Sequence, residues 1–329
     1  MPVRVSEYQG LIAITANARR AKADLAKYSE EVSSGVKVAN PGDSNAAGLI
    51  SQYRDHLRNI DSSTSRATNA KTFLTFQEDI LAQVGDAMIR AKEIASQGAS
   101  DLADEDVRSH LAKEVFAIRD QIVNLANSTY QGKYVWGGTD DDDPPYDAVS
   151  YTSPATGPAS QRFVFDDTVA ENAKKSVVLT DVISVDITSV ADDVFTSSIS
   201  ALERLGRALS GFTTNPASGT PDGTGAPYTF PQDQKVQTLA IRDCIDLVDS
   251  ARVNQVETER TSIGARMRRI ETAESILSMG KLSANANLDN LQNADIAESA
   301  TNLSKAQQAL EASYTVTSRV LKMSIMDYL

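Results

Sequence analysis

The chain has 329 residues, enough for about two domains, with 41% hydrophobic residues but only 6% aromatics and a single Trp. Few large aromatic anchors suit extended helix packing better than a compact enzyme core. A formal charge of −12 with a pI of about 4.7 argues against nucleic-acid and anionic-membrane partners. The charge is uneven. Residues 140–195 carry twelve Asp/Glu against three Lys/Arg, while residues 1–37 carry four against six. Cys244 is alone, so no intrachain disulfide is expected. His56 and His110 are the only histidines, which disfavours a His-based metal or catalytic site. No signal-peptide core opens the sequence, and no apolar run is long enough to span a bilayer.

From the N-terminus, Ser6 and Gln9 have the spacing of a capping box. Leu11, Ala18, Leu25 and Val32 then recur every seven residues, with Ile14, Ala21 and Tyr28 between them. This is the narrow stripe of a coiled-coil helix. Gly35, Pro41 and Gly42 interrupt it, and Asp43 or Ser44 can cap the next helix. Tyr53, Ile60, Ala67, Leu74, Leu81, Met88 and Ala95 continue at strict sevens, which predicts a helix over 45–96 roughly 75 Å long. Gly98 breaks it. A further helix is expected with Val107, Leu111, Val115, Ile118, Ile122, Leu125 and Thr129 on one face and Gly132 as its stop.

Residues 133–193 change character, with the acidic run Asp140–Asp143, Pro144-Pro145 and alternating stretches that read as short strands and turns. The acidic run lacks the spacing of a calcium loop and is read as a solvated turn. A helix over 194–209 and a Gly/Pro/Thr-rich loop over 211–231 follow. A long helical pattern returns from 232 to about 282 through Val236, Leu239, Leu247, Val248, Ile263, Ile270 and Leu277, and the Asn-rich 284–293 reads as a break. In the last helix Asp295 and Glu298 have capping-box spacing. Ile296, Leu303, Leu310 and Thr317 recur at sevens, with Ala300, Tyr314, Leu321 and Tyr328 four residues on. Stripes this thin need partner helices, so the two chain ends are natural partners for each other.

These patterns predict a mainly α fold with a β-rich insert (α+β), with long antiparallel helices in an elongated rod and coiled-coil-like terminal helices. The expected division is an N-terminal helix and spacer (1–42), a long helical rod domain (43–139), a β-rich acidic insert (140–231), a returning helix (232–290) and a C-terminal helix (291–329). No nucleophile elbow, phosphate loop or metal spacing stands out, so no enzymatic activity and no cofactor or metal are expected. Asn127 and Asn302 match glycosylation acceptors, a pattern common by chance.

The stretch VSSGVKVANPGDSNAAGL (32–49) resembles the signature that follows the first helix of flagellins and their relatives, and LQNADIAESATNLSKAQQALEAS (291–313) resembles their C-terminal signature. GKYVWGGT (132–139) and the ending LKMSIMDYL resemble the members of that family that stand between hook and filament. Asn45-Ala46-Ala47-Gly48-Leu49 is closer to flagellin itself, so a filament subunit stays an alternative. A secreted glycan-binding or glycan-acting protein is the alternative from another class. The resemblance implies a secreted, structural protein of the bacterial flagellum, exported through the type III apparatus with a chaperone. It further implies a homo-oligomeric ring that contacts a hook-side junction protein and flagellin, with no nucleic-acid or membrane partner. The subunit interface is then expected at Leu11, Ile14, Ala18, Ala21, Leu25, Tyr28, Val32, Ile296, Ala300, Leu303, Leu310, Tyr314, Leu321 and Tyr328.

Overall fold

A computed structural model describes residues 3–37, 47–139, 141–150, 161–165, 174–211 and 234–326. The described chain is mainly helical, with three small antiparallel hairpins. The helices are α1 (Val3–Ser34), α2 (Ala47–Gly98), α3 (Glu105–Ala126), α4 (Ala191–Leu209), α5 (Gln234–Ala251), α6 (Thr258–Gln292) and α7 (Ile296–Met326), and a π-helical turn (Arg252–Glu257) joins α5 to α6. The strands pair as β1 (Thr129–Tyr130) with β2 (Lys133–Tyr134), β3 (Tyr146–Ser150) with β4 (Gln161–Phe165), and β5 (Ser176–Val178) with β6 (Ser184–Asp186). Two compact units result: residues 1–61 with 278–329, and residues 62–277.

In the larger unit, α2 presents its heptad positions inward. Ala67, Leu74, Leu81, Met88 and Ala95 are all fully buried. Across them lies α6, whose buried Ile263, Ile270 and Leu277 also recur at sevens, in step with buried Val256 of the π-turn. Ion pairs set the register: Lys71 Nζ donates to Glu271 at 3.1 Å and Arg260 to Glu78 at 2.7 Å. The residue numbers rise on one helix as they fall on the other, so the two run antiparallel. The same pattern appears in the smaller unit, where Lys281 Nζ donates to Asp61 at 2.7 Å.

The rest of the larger core is an α3–α4–α5 layer closed by the hairpins. Trp136 is buried edge-on against Phe195, with ring centroids 5.0 Å apart. Tyr146 anchors β3: its hydroxyl donates to Ala191 O at 3.1 Å and pairs with Thr196 Oγ1 at 2.6 Å. Burial pushes that phenol well above its usual range. Asn127 receives Tyr146 N–H on Oδ1 (3.0 Å) and donates from Nδ2 to Tyr146 O (2.8 Å). It therefore substitutes for a strand neighbour at the start of β3.

Several local expectations are corrected. The Ser6–Gln9 box lies inside α1, which already begins at Val3. Gly132 does not stop α3, which ends at Ala126; with Gln131 (φ 53°) it makes the tight β1–β2 turn at φ 82°. Two consecutive positive φ values suit that hairpin's twist, and Gly adopts the second without a Cβ penalty. The Asn-rich 284–293 does not break the chain, because α6 runs through to Gln292. Asn lowers helix propensity only modestly, and buried Ala284 continues the heptad.

On α3 Val107 is exposed and Arg108 is fully buried in its place; on α5 Val236 and Leu239 are exposed while Gln237 and Thr238 are buried. These shifts share one cause. Arg108 Nη1 donates to Gln237 Oε1 (2.6 Å) and Nη2 to Thr238 Oγ1 (2.9 Å), while Gln237 Nε2 donates to Ala208 O (2.8 Å). A hydrogen-bonded polar network thus occupies a face that apolar periodicity assigns to Val and Leu. The proposed caps at Asp43 and Ser44 and the 212–231 loop lie outside the described residues.

Candidate functional site: the paired terminal helices

α1 and α7 pack along each other in the smaller unit. Their antiparallel start is pinned by backbone. Gly35 turns the chain out of α1 at φ 72°, and its N–H still reaches Glu31 O at 2.8 Å. Val36 then bridges Asn293, Lys37 N–H donates to Gln292 O at 2.7 Å, and Ala294 N–H donates to Gly35 O at 2.9 Å. Asp295 caps α7, with Oδ1 accepting from Ala297 N at 2.9 Å and Glu298 N at 3.2 Å. One turn in, buried Ser299 donates from Oγ to buried Glu31 Oε2 at 3.0 Å. The carboxylate is therefore desolvated with a donor in place.

From that anchor the α1 seam consists of Val32, Tyr28, Leu25, Ala21, Ala18 and Ile14, all half-buried or buried. On α7 the seam is Ser299, Leu303, Ala306, Leu310, Ser313 and Thr317, at alternating steps of four and three. Leu303 and Leu310 thus face the seam. Ala300 and Tyr314 do not: both are exposed, Tyr314 at 57%, and Ile296 is 60% exposed. Leu11 lies on α1 and Leu321 on α7, while Tyr328 is outside the described residues.

The inward partners of Leu303 and Leu310 sit three or four residues from each leucine and are small or polar: Ser299, Ala306 and Ser313. Apolar periodicity passes over them. The available signal is the Ser/Ala/Ser repeat at sevens, which lets two helix backbones approach closely. Glu31 was likewise silent as sequence, a charge beside the stripe with no visible partner.

Two faces therefore coexist on α7. One is occupied by α1. Beside it, Ile296, Ala300 and Tyr314 face outward; Val316 (46% exposed) lies on the opposite flank of α7, and Ile12 on α1 is 51% exposed. His56 and His110 are both exposed. Asp142 and Asp143 are exposed, while Asp141 is held by Lys175, whose hydrogen bond keeps its carboxyl below the usual range.

A chain whose two ends form one antiparallel helix pair, enclosing the rest of the sequence between them, has the arrangement of the axial proteins of the flagellum. The chain belongs to the flagellin family: the bacterial flagellin N-terminal helical region matches residues 5–141, and the C-terminal helical region matches residues 245–329. Over 319 residues it is 26% identical to flagellar hook-associated protein 3 of Escherichia coli (strain K12), covering 93% of each chain. Its fold is similar to that of a putative flagellar hook-associated protein from Vibrio parahaemolyticus (TM-score 0.60, 17% identity, 76% of this chain and 100% of that one). It is also similar to the flagellar junction protein FlgL from Legionella pneumophila (TM-score 0.57, 14% identity, 73% and 98%).

Proposed function

We propose that this chain is the structural subunit that joins the hook to the filament of the bacterial flagellum, packing through its terminal helices against neighbouring copies in a ring. The observation that carries this reading is the second face of α7. Ile296 and Tyr314 remain exposed although α1 is already seated on the same helix. An apolar flank of this kind on a strongly charged chain marks an interaction surface. In the assembled state the α1–α7 pair would extend into a coiled-coil bundle with adjacent subunits, and the long α2 and α6 would form a rod. The full-length similarity to hook-associated protein 3 supports the junction over the filament. Export through the type III apparatus with a chaperone and contact with a hook-side junction protein and flagellin belong to the same reading. The expected interface residues are those of the two stripes, with Ala300 and Tyr314 facing the neighbour and Leu303 and Leu310 facing α1.

Complementation tests this directly. A cell lacking its own junction subunit should regain motility with the full chain and not with a chain lacking residues 1–32 or 295–329. Restored motility with either truncated chain would overturn the terminal-helix model.

A further inference from the structure

The larger unit carries a cleft that the assembly role does not use. It has a volume of about 370 Å3 and lies between α4, the end of α5 and the π-turn. Leu247, Ala201 and Ala251 make an apolar floor, and Ser200, Ser250 and Asn254 bring hydroxyl and amide groups to its rim. Arg204 lines one end. It is half-buried, its Nε is sealed from solvent without a hydrogen-bond partner, and it makes no ion pair with any described residue.

Several other arginines of this unit, though not all, are ion-paired. Arg119 and Arg207 share Glu203, Arg90 meets Glu114, Arg252 meets Asp249, and Arg260 meets Glu78. Behind Arg204 on α5, Cys244 does not supply a counter-charge, because burial pushes its thiol up to about 11. At the far end of the cleft the Thr196 hydroxyl is already committed to Asp192 at 2.6 Å, so an anion is favoured only at the Arg204 end.

The wall opposite α4 is the π-turn, which contributes Asn254 and Gln255. Gln255 Oε1 accepts from Ser197 N–H at 3.1 Å and ties the turn to α4. Single π-turns are less stable than α-helix and concentrate at functional sites. Here the turn shapes the cleft and places two amides on it.

We infer that this cleft binds a carboxylate on a short aliphatic body, the side chain of a glutamate in a peptide, with Arg204 receiving the carboxylate and Leu247 and Ala251 receiving the methylenes. A lone guanidinium favours a planar carboxylate it can grip with two donors. The shallow apolar floor suits methylenes.

The test uses the full chain at low chloride and follows binding by titration calorimetry. The probes are acetyl-glutamate amide, its uncharged counterpart acetyl-glutamine amide, and inorganic phosphate. The expected result is saturable binding of the glutamate probe about tenfold tighter than the glutamine probe, the size of one charge-assisted hydrogen bond. Phosphate should bind more weakly than the glutamate probe. Arg204→Gln should erase the difference between the two amides with an unchanged helical circular-dichroism signal. Ser250→Trp, which fills the cleft from an exposed position and leaves Arg204 intact, should abolish binding of both. Absence of saturation, equal binding of the two amides, preference for phosphate, or retention of the preference in Arg204→Gln would each overturn the assignment.

Discussion

Ser299 donates to Glu31 across the two ends of the chain at 3.0 Å, with both side chains buried. A buried carboxylate that loses a donor is left under-solvated, at a cost of about 1–3 kcal/mol. Ser299→Ala should therefore loosen the start of the α1–α7 pair. Hydrogen exchange of the amides around Ala300–Leu303 should speed up, while amides around Leu81 in the larger unit stay unchanged. Glu31→Gln keeps an acceptor for the serine and should have the smaller effect. Equal exchange in Ser299→Ala and the parent chain would show that the pair is held by the seam alone.

Gly206 on α4 sits under Phe116 of α3, where an added Cβ would fall 2.6 Å from Phe116 Cε1. Helix propensity alone favours alanine over glycine by about 1 kcal/mol. Overpacking costs typically about 1–3 kcal/mol. The ring cannot move away easily, because the Arg119 guanidinium stacks on it at 4.9 Å and is itself tied to Asp120 at 2.7 Å. The clash should win, and Gly206→Ala should lower the melting temperature. Pairing it with Phe116→Leu should recover much of the loss, a coupling that a thermal double-mutant cycle would measure. A higher melting temperature in Gly206→Ala would mean that α3 and α4 can separate at little cost.

The sevens of α2 were legible because every member from Ile60 to Ala95 is apolar and buried, so pattern and packing agree. The seam of α7 was half legible. Leu303 and Leu310 announce themselves, whereas Ser299, Ala306 and Ser313 are chosen for size and for the Glu31 contact. Arg108 inverts the pattern, since its burial depends on Gln237 and Thr238 from a helix more than a hundred residues away. The hairpin part of the core was legible as strands but not as core. Tyr146, Leu179 and Val185 belong to the same buried cluster as Trp136 and Phe195, and short strands carry no periodicity that names their partner.

Cys244 gives a pH-dependent prediction. Burial raises its thiol from an ordinary value of 9.0 to about 11, so the folded state holds the proton more tightly than the unfolded one. The sign follows from linkage: this contribution is fully present below pH 9 and is lost as the pH rises from 9 through about 11. Cys244→Ala should therefore flatten part of the alkaline fall in stability, read as melting temperature between pH 8 and 11. In the parent chain at pH 8 the thiol should react with a disulfide reagent only as fast as the fold opens, and denaturant should accelerate the reaction steeply. Rapid labelling without denaturant would show that the α5 face is accessible in the native state.

The two faces of α7 can be separated by mutation. Leu310 is half-buried on the α1 seam, whereas Tyr314, one turn on, is 57% exposed in the single chain. Full burial makes Leu→Ala cost about 2–5 kcal/mol, and a half-buried leucine should fall at or below the lower end. Leu310→Ala is thus expected to cost about 1–2 kcal/mol in the isolated chain. It should register as faster hydrogen exchange along α7. Tyr314→Ala removes little that the single chain buries, and surface changes of this kind usually stay within about 0.5 kcal/mol. If a neighbouring copy covers that flank, a tyrosine there is the kind of amphipathic anchor that dominates interfaces. Tyr314→Ala should then leave the melting and exchange of the isolated chain nearly unchanged, yet abolish or sharply reduce restored motility. Glu311→Ala, exposed and adjacent in sequence, is the control and should leave both intact. Full motility in Tyr314→Ala would mean that the neighbour docks elsewhere. A large drop in the stability of the isolated chain would mean that this flank is already covered within the single chain.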